Sequence, residues 1–481
     1  MKIKYLLLSV FMLALWSCET DVVNPNETYP DPYLEIDSGD TDFSSYVSIG
    51  ASITAGTTDS SLFLLGQTNS YPNILSNVMA MADGGEFTQP YMNDNVGGLT
   101  LGGNLVPGTN VRLYFNGAGP VPVNGTPSTD VSNIVPGPYN NLGIPGMNAI
   151  HALAPGYGNI AGLSAGLANP YFVRMASSPG TSILEDALAK APTFVSIWLG
   201  GNDALRFATS GGVSPLSPSA EFDLGISSTV GALAQSGADG VLINVPDVTA
   251  IAYLNTVPYN PIPLDAATAE MLNQGFQAYN GGLMLVQGLG LISAEEAAAR
   301  TIVFAAGQNA VTIEDSDLTD LSFLGLPNFR MATALDKIVL PASSLLGTTV
   351  DGNPLQINGL TVPLADNLVL TENEVMEAQV AVGSYNGTIS ALASQFGWAH
   401  FDSQAALNQI VNTGMPMDDF ILTGDLVFGG FFSLDGVHPT ARGNAVIAKL
   451  LMEEIDATYG SNLLDAGLDI GDYPTNYPNG L

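Results

Sequence analysis

From Phe43 onward, short apolar runs rich in β-branched and aromatic residues alternate with segments of helical periodicity, and this alternation constrains the fold more than any other feature. Strands separated by helices run in the same direction, because each helix carries the chain back across a face of the sheet. The clearest strand-like runs are Tyr46–Gly50, 193–199, 241–245 and 398–401, each closed by Gly, Pro, Asp or Ser. Helical patterns lie between them at 72–82, 227–235 and Glu372–Phe396. A last helix over 439–459 places Val446, Ile447, Leu450, Leu451 and Ile455 on one face. The expectation is an α/β domain over residues 43–460 built on a parallel sheet.

Two stretches exceed what a minimal domain of this kind needs. Residues 87–136 are rich in Gly, Asn, Pro and Thr and suggest hairpins or long loops. Residues 254–370 hold a capping box at Ser293 to Glu296, a strand near 302–306 and an acidic run. Both read as insertions decorating one core, with a separate small domain in 254–370 as the alternative. No internal repeat is present. Residues 461–481 carry Tyr and Pro with little periodicity and read as an extended tail.

The N-terminus has a different character. Lys2 and Lys4 precede an apolar run from Leu6 to Trp16 that is too short to span a bilayer, and Leu15-Trp16-Ser17-Cys18 follows. This resembles a bacterial lipoprotein signal, in which residues 1–17 are removed and the cysteine is lipidated. Trp16 departs from the small residue usual there, and a simple secretion signal is the other reading. Cys18 is the only cysteine of 481 residues, so it has no disulfide partner in the chain. Residues 18–42 are acidic, carry Pro25, Pro30 and Pro32, and read as a flexible tether. The implied location is the cell envelope, with the lipid on Cys18 as the membrane attachment, most simply at the outer membrane. The charge of the chain agrees with attachment through the lipid alone. With 11 Lys+Arg against 45 Asp+Glu, the net charge is −34, which repels nucleic acid and anionic headgroups alike.

The residues that could carry chemistry are few. One cysteine and three histidines give little support to a zinc site, so neither a metal nor another cofactor is expected. Metal-free hydrolysis near neutral pH usually needs an imidazole base. His151 lies in a half-apolar helical context and His400 inside a strand, and both read as structural. His438 lies in a loop entering the last helix, with Pro439 near its first position and Asp435 three residues before it. One turn can set that carboxylate against the imidazole, as a triad acid requires, although Asp-x-x-His alone is common. Ser52 follows the strand Tyr46–Gly50 on a small-residue turn, where it would stand at the carboxyl edge of the sheet near a helix N-terminus.

Four blocks in order resemble those of the SGNH (GDSL) hydrolases. Gly50-Ala51-Ser52-Ile53-Thr54-Ala55-Gly56 is similar to the nucleophile block, and Asn141-Leu142-Gly143-Ile144-Pro145-Gly146 to the second block. Gly200-Gly201-Asn202-Asp203 is similar to the third, and Asp435-Gly436-Val437-His438-Pro439-Thr440 to the fifth. Segments 70–75 and 240–247 carry weaker likenesses to larger members, while 87–136 and 254–370 stay uncovered. The resemblance implies a three-layer α/β/α fold with a flavodoxin-like parallel sheet and hydrolysis of carboxylic esters through an acyl-enzyme. It assigns Ser52 as nucleophile, His438 as base and Asp435 as its acid. The oxyanion would be held by the N–H groups of Ser52 and Gly146 and the amide of Asn202, with Asp203 supporting the loop.

One position departs from the family: Ala51 stands where aspartate is usual. That aspartate is neither nucleophile nor base, but it helps set the turn. Three uses of the fold therefore stay open: cleavage of acyl or lipid esters, removal of O-acetyl groups from carbohydrate, or ligand binding without catalysis. The acidic run 314–320 lacks the glycine and terminal glutamate of a calcium loop and reads as a solvated surface loop. The glycine-interrupted apolar stretch 283–292 reads as core, with a lid or acyl-chain contact as the alternative.

Overall fold

The computed structural model describes residues 35–481; the expected lipoprotein signal, Cys18 and most of the expected tether lie outside them. Five strands form one parallel sheet: β1 (Tyr46–Gly50), β2 (Asn141–Gly143), β3 (Phe194–Trp198), β4 (Asp239–Ile243) and β5 (Ala399–Phe401). Their spatial order is β5-β4-β3-β1-β2, which is the flavodoxin-like order. The helices that matter to the site are α1 (Ser52–Ala55), α2 (Tyr71–Met79), α3 (Gly201–Thr209), α4 (Ser219–Gln235), α5 (Ala266–Gly288), α6 (Glu372–Phe396), α7 (Ser403–Asn412) and α8 (Ala441–Tyr459).

Strand alternation divides the core in two, because successive side chains point to opposite faces. Val47, Ile49, Val195, Ile197 and Leu242 pack with Phe222, Ile226 and Val230 of α4 and with Val382 and Tyr385 of α6. Tyr46, Phe194, Trp198, Val241 and Ile243 face the other way, against Ile74 and Leu75 of α2 and Val446, Leu451 and Ile455 of α8. The result is the expected three-layer α/β/α arrangement. Buried on both faces, the strands are near-continuous apolar runs, as parallel strands are. The second face also holds a polar thread: Tyr46 Oη lies 2.7 Å from Ser196 Oγ, which donates to Ser48 Oγ at 2.8 Å.

Several boundaries differ from the sequence reading, each for a physical reason. β2 has only three residues and no β-branched one, so periodicity does not reveal it; it pairs with β1 from Ser48 to Gly50. β4 begins at Asp239 and ends at Ile243, two residues earlier than expected, because Asn244 turns its side chain to the start of α7. In the last helix Pro439 falls outside, and Thr440 is the cap, accepting the Gly443 N–H at 2.9 Å. Ile36 is buried, Asp40 N–H donates to Tyr459 O at 2.7 Å and Thr41 donates to Asp239 at 2.9 Å. Residues 36–42, assigned to the tether, therefore pack on the body.

The insertion 254–370 contains α5, a 23-residue helix whose internal glycines hide its periodicity. The stretch 283–292 is the end of that helix and the turn after it, with Leu283, Val286 and Ile292 buried and Met284, Leu285 and Leu289 exposed. Ser293 caps the next helix as expected, but Glu296 pairs with Arg300 instead of closing the box. The strand expected at 302–306 forms at Gly307–Asn309. The acidic run is not all solvated: Asp315 is buried and paired with Arg330, which also pairs with Asp336 at 2.7 Å. Residues 461–481 have little regular structure, yet they pack back on the body. Tyr477 stands edge-on to Phe63, and Arg112 donates to the carbonyls of Tyr477 and Pro478. No helix among the described residues is long and apolar enough to cross a membrane.

Candidate active site

β1 delivers Ser52 to the carboxyl edge of the sheet, between β1 and β3, where the strand order reverses. The turn that presents it is made by close approach. A Cβ on Gly50 would lie 2.1 Å from Thr54 Oγ1 and 2.8 Å from Trp198 O. One on Gly143 would lie 2.2 Å from Ala55 N, so β2 and α1 touch through a glycine. Thr54 Oγ1 then bonds Tyr71 Oη at 3.0 Å and fixes α1 against α2. Ala51, with no carboxylate to brace the turn, still supports it: its carbonyl accepts the Ala55 N–H at 3.0 Å.

The loop before α8 supplies the other half. Ser433 N–H donates to His438 O at 2.8 Å and Gly436 N–H to Ser433 O at 2.9 Å, folding residues 433–438 into a tight bend. Within it Asp435 Oδ1 accepts the N–H groups of Val437 and His438 at 2.8 and 2.9 Å and the Ser433 hydroxyl at 3.0 Å. Asp435 Oδ2 lies 2.8 Å from His438 Nδ1, and His438 Nε2 lies 2.9 Å from Ser52 Oγ. The structure thus joins Ser52, His438 and Asp435 in one hydrogen-bonded chain. Burial pushes the Asp435 carboxyl up, but the His438 charge and the donated bonds outweigh it and hold the group down at about 2.

A second turn braces this loop, and the sequence reading missed it. Thr58 and Ser61 exchange both backbone bonds at 3.0 Å around Asp59 and Ser60, which take φ of 51° and 69°. That left-handed conformation is uncommon outside glycine. It aims the Ser60 N–H at Asp435 Oδ2 (2.7 Å) and the Asp59 N–H at Ser433 Oγ (3.0 Å). Asp59 itself is buried and accepts the Leu434 N–H at 3.1 Å. Its carboxyl is pushed up to about 7, chiefly by burial and further by the Asp435 charge, against the Leu434 bond, Arg112 and His438.

The remaining assigned residues fall as follows. Asn202, at the start of α3, lines the same cleft as Ser52 and His438, and its Nδ2 donates one hydrogen to Met147 O at 2.9 Å. Gly146 has φ of +82° and is exposed; its carbonyl accepts from Arg206, and it lies outside the lining of the cleft. Among the described residues neither the Ser52 N–H nor the Gly146 N–H has a backbone acceptor. Asp203 is buried and accepts the Ala149 N–H at 3.0 Å, which ties the segment after Gly146 to α3. His151 takes the Asn148 N–H on Nδ1 and stacks on Tyr157, while His400 buries Nε2 without a partner among the described residues. Burial lowers the pKa of both, and neither lines the cleft.

The cleft at Ser52 has a volume of about 70 Å³ and walls that are otherwise largely apolar, among them Trp198, Leu205, Val248 and Ile251. A larger trough of about 1030 Å³, with Asp247, Lys337, Glu372 and Asp425 in its lining, includes none of the three triad residues.

No family model matches the sequence, and no curated protein sequence matches it. Among solved structures the chain is similar to Axe2, an acetylxylan esterase of Geobacillus stearothermophilus, at 13% identity and a TM-score of 0.32, covering 88% of this chain and 96% of that one. A catalytic mutant of the same esterase is similar at 12% identity and a TM-score of 0.31, over the same shares of both chains.

Proposed function

We propose that this protein hydrolyses carboxylic esters through an acyl-enzyme on Ser52, as a member of the SGNH hydrolases. The observation that carries the reading is the unbroken chain Ser52 Oγ–His438 Nε2, His438 Nδ1–Asp435 Oδ2, at 2.9 and 2.8 Å, at the sheet's switch point. Asp435 fixes the imidazole with Nδ1 protonated, which leaves Nε2 free to accept the Ser52 proton. Ser52 Oγ attacks the ester carbonyl carbon while His438 takes that proton. The oxyanion that forms is held by the Ser52 N–H and the second Nδ2 hydrogen of Asn202, with the Gly146 N–H as a third donor once the substrate is seated. The tetrahedral adduct collapses, the carbon–oxygen bond to the alcohol breaks, and His438 returns its proton to the leaving oxygen. Water then repeats the attack, with His438 again the base, and releases the carboxylic acid and Ser52.

Hydrolysis of p-nitrophenyl acetate and butanoate by the full chain tests this reading. Ser52→Ala should lower turnover by about 10⁴ or more, and Asn202→Ala by about 10²–10³. Activity that survives Ser52→Ala would refute the assignment. From the Leu15-Trp16-Ser17-Cys18 segment we further propose that a lipid on Cys18 holds the protein at the cell envelope, and incorporation of labelled palmitate that disappears in Cys18→Ala is the test.

A further inference from the structure

Behind the Ser52 cleft lies a second cavity of about 50 Å³, lined by Phe401, Leu407, Phe432, Ile447 and Leu450 among others. Ile53, Trp198, Pro246, Ile251 and Val437 line both spaces, so the two adjoin. The polarity of the pair is one-sided. The single polar side chain of the inner chamber, Ser403, already donates to Asn244 at 2.6 and 2.9 Å. The indole of Trp198 likewise spends its Nε1–H on Asn244 O at 3.1 Å and offers the chambers only carbon. Water needs two or more polar partners to occupy a cavity, and a sugar hydroxyl needs the same. Hydrocarbon does not.

Resting on the ester-hydrolase reading above, we infer that the acyl half of the substrate is a straight hydrocarbon chain that runs from Ser52 through the cleft into the inner chamber. The acyl half fits better than the alcohol because the inner chamber's wall is made of buried Phe401, Leu407, Ile410 and Ile447. The half that stays bonded to Ser52 can sit there through the deacylation step, whereas the alcohol must leave after the first step. Length follows from volume. At about 10–15 Å³ for each water-sized group, the cleft holds roughly five to seven carbons and the inner chamber roughly three to five more. The preferred acyl group is therefore about eight to twelve carbons long, and acetyl esters leave most of the space empty.

The test is a series of p-nitrophenyl esters from acetyl to palmitoyl, hydrolysed by the full chain. kcat/KM should rise about two- to fourfold per methylene, the worth of burying one CH₂, to an optimum between octanoyl and dodecanoyl, and then fall. Ala406→Phe, on α7 in the wall of the inner chamber alone, should keep acetyl and butanoyl rates within twofold and lower the octanoyl rate at least tenfold. If Ala406→Phe loses its acetyl activity as well, Leu450→Ala decides: an optimum moved to longer chains supports the inference, and an unchanged profile overturns it. A profile that is flat or falls from acetyl onward, with hydrolysis still dependent on Ser52, overturns the chain-binding inference and leaves the ester-hydrolase reading standing. Absence of any Ser52-dependent hydrolysis overturns both.

Discussion

The two halves of the triad are held by opposite means. The acid loop is held by hydrogen bonds: Asp435 accepts from Ser433, Val437, His438 twice and Ser60, all within 3.0 Å. The nucleophile turn is held by steric fit: α1 has four residues, Ala51 gives it no side-chain cap, and glycines at 50 and 143 admit Thr54, Trp198 and Ala55. Redundant polar bonds tolerate the loss of one member, because each contributes only about 0.5–1.5 kcal/mol net. Close packing of backbone does not tolerate an added methyl, because nothing nearby can yield. The acid loop should therefore be robust to single changes other than at Asp435 itself, and the nucleophile turn fragile.

The largest effect expected is at the point where that redundancy cannot help. Asp435→Asn keeps the shape but favours the wrong imidazole tautomer, and should lower kcat by about 10⁴ with little loss of melting temperature. Next comes Gly50→Ala, which should cost about 1–3 kcal/mol of stability and displace Ser52 enough to lose roughly 10² in kcat. Chemical denaturation and steady-state kinetics on the same preparation measure both. Ser433→Ala removes one of five bonds to Asp435 and should cost less than about tenfold in kcat. A larger loss would mean that the acid loop is not redundant.

The smallest effect concerns Asp59. Its carboxyl is pushed up to about 7 in the folded protein, above its ordinary value near 4. The folded state therefore binds this proton more tightly than the unfolded one. The contribution to stability is complete below pH 4 and is lost as pH rises through 7. Asp59→Asn removes that dependence, keeps an acceptor for the Leu434 N–H, and suits a positive φ. Its Tm should exceed that of the parent by about 2–4 °C at pH 8 and match it at about pH 3.5, below the unfolded value, which differential scanning calorimetry at the two pH values resolves.

What was legible in the sequence follows the same division. His438 stands out because it alone of three histidines has an acid three residues away, a separation that one tight bend can close. Ser52 and Asn202 are marked by glycines, and a glycine required by close approach leaves a trace in sequence. The Asp59–Ser60 turn leaves none: its φ values are positive without glycine, and its partner Ser433 is 374 residues from Asp59. β2 is too short for periodicity, and α5 carries glycines at 275, 281, 282 and 288 that imitate a loop. The tether boundary is hidden because Ile36 stands in an acidic stretch without apolar periodicity, and only its packing shows where the body begins. The apolar walls behind Ser52 come from five separate segments, so no local pattern announces them.

The proposed reaction stands or falls on Ser52 as a nucleophile made reactive by His438. Treatment of the full chain with a fluorophosphonate, followed by intact-mass measurement and peptide mapping, tests it most directly. One adduct is expected, on the peptide containing Ser52, absent in Ser52→Ala and slowed severely in His438→Ala. An unlabelled parent, or an adduct that persists in Ser52→Ala, would contradict it.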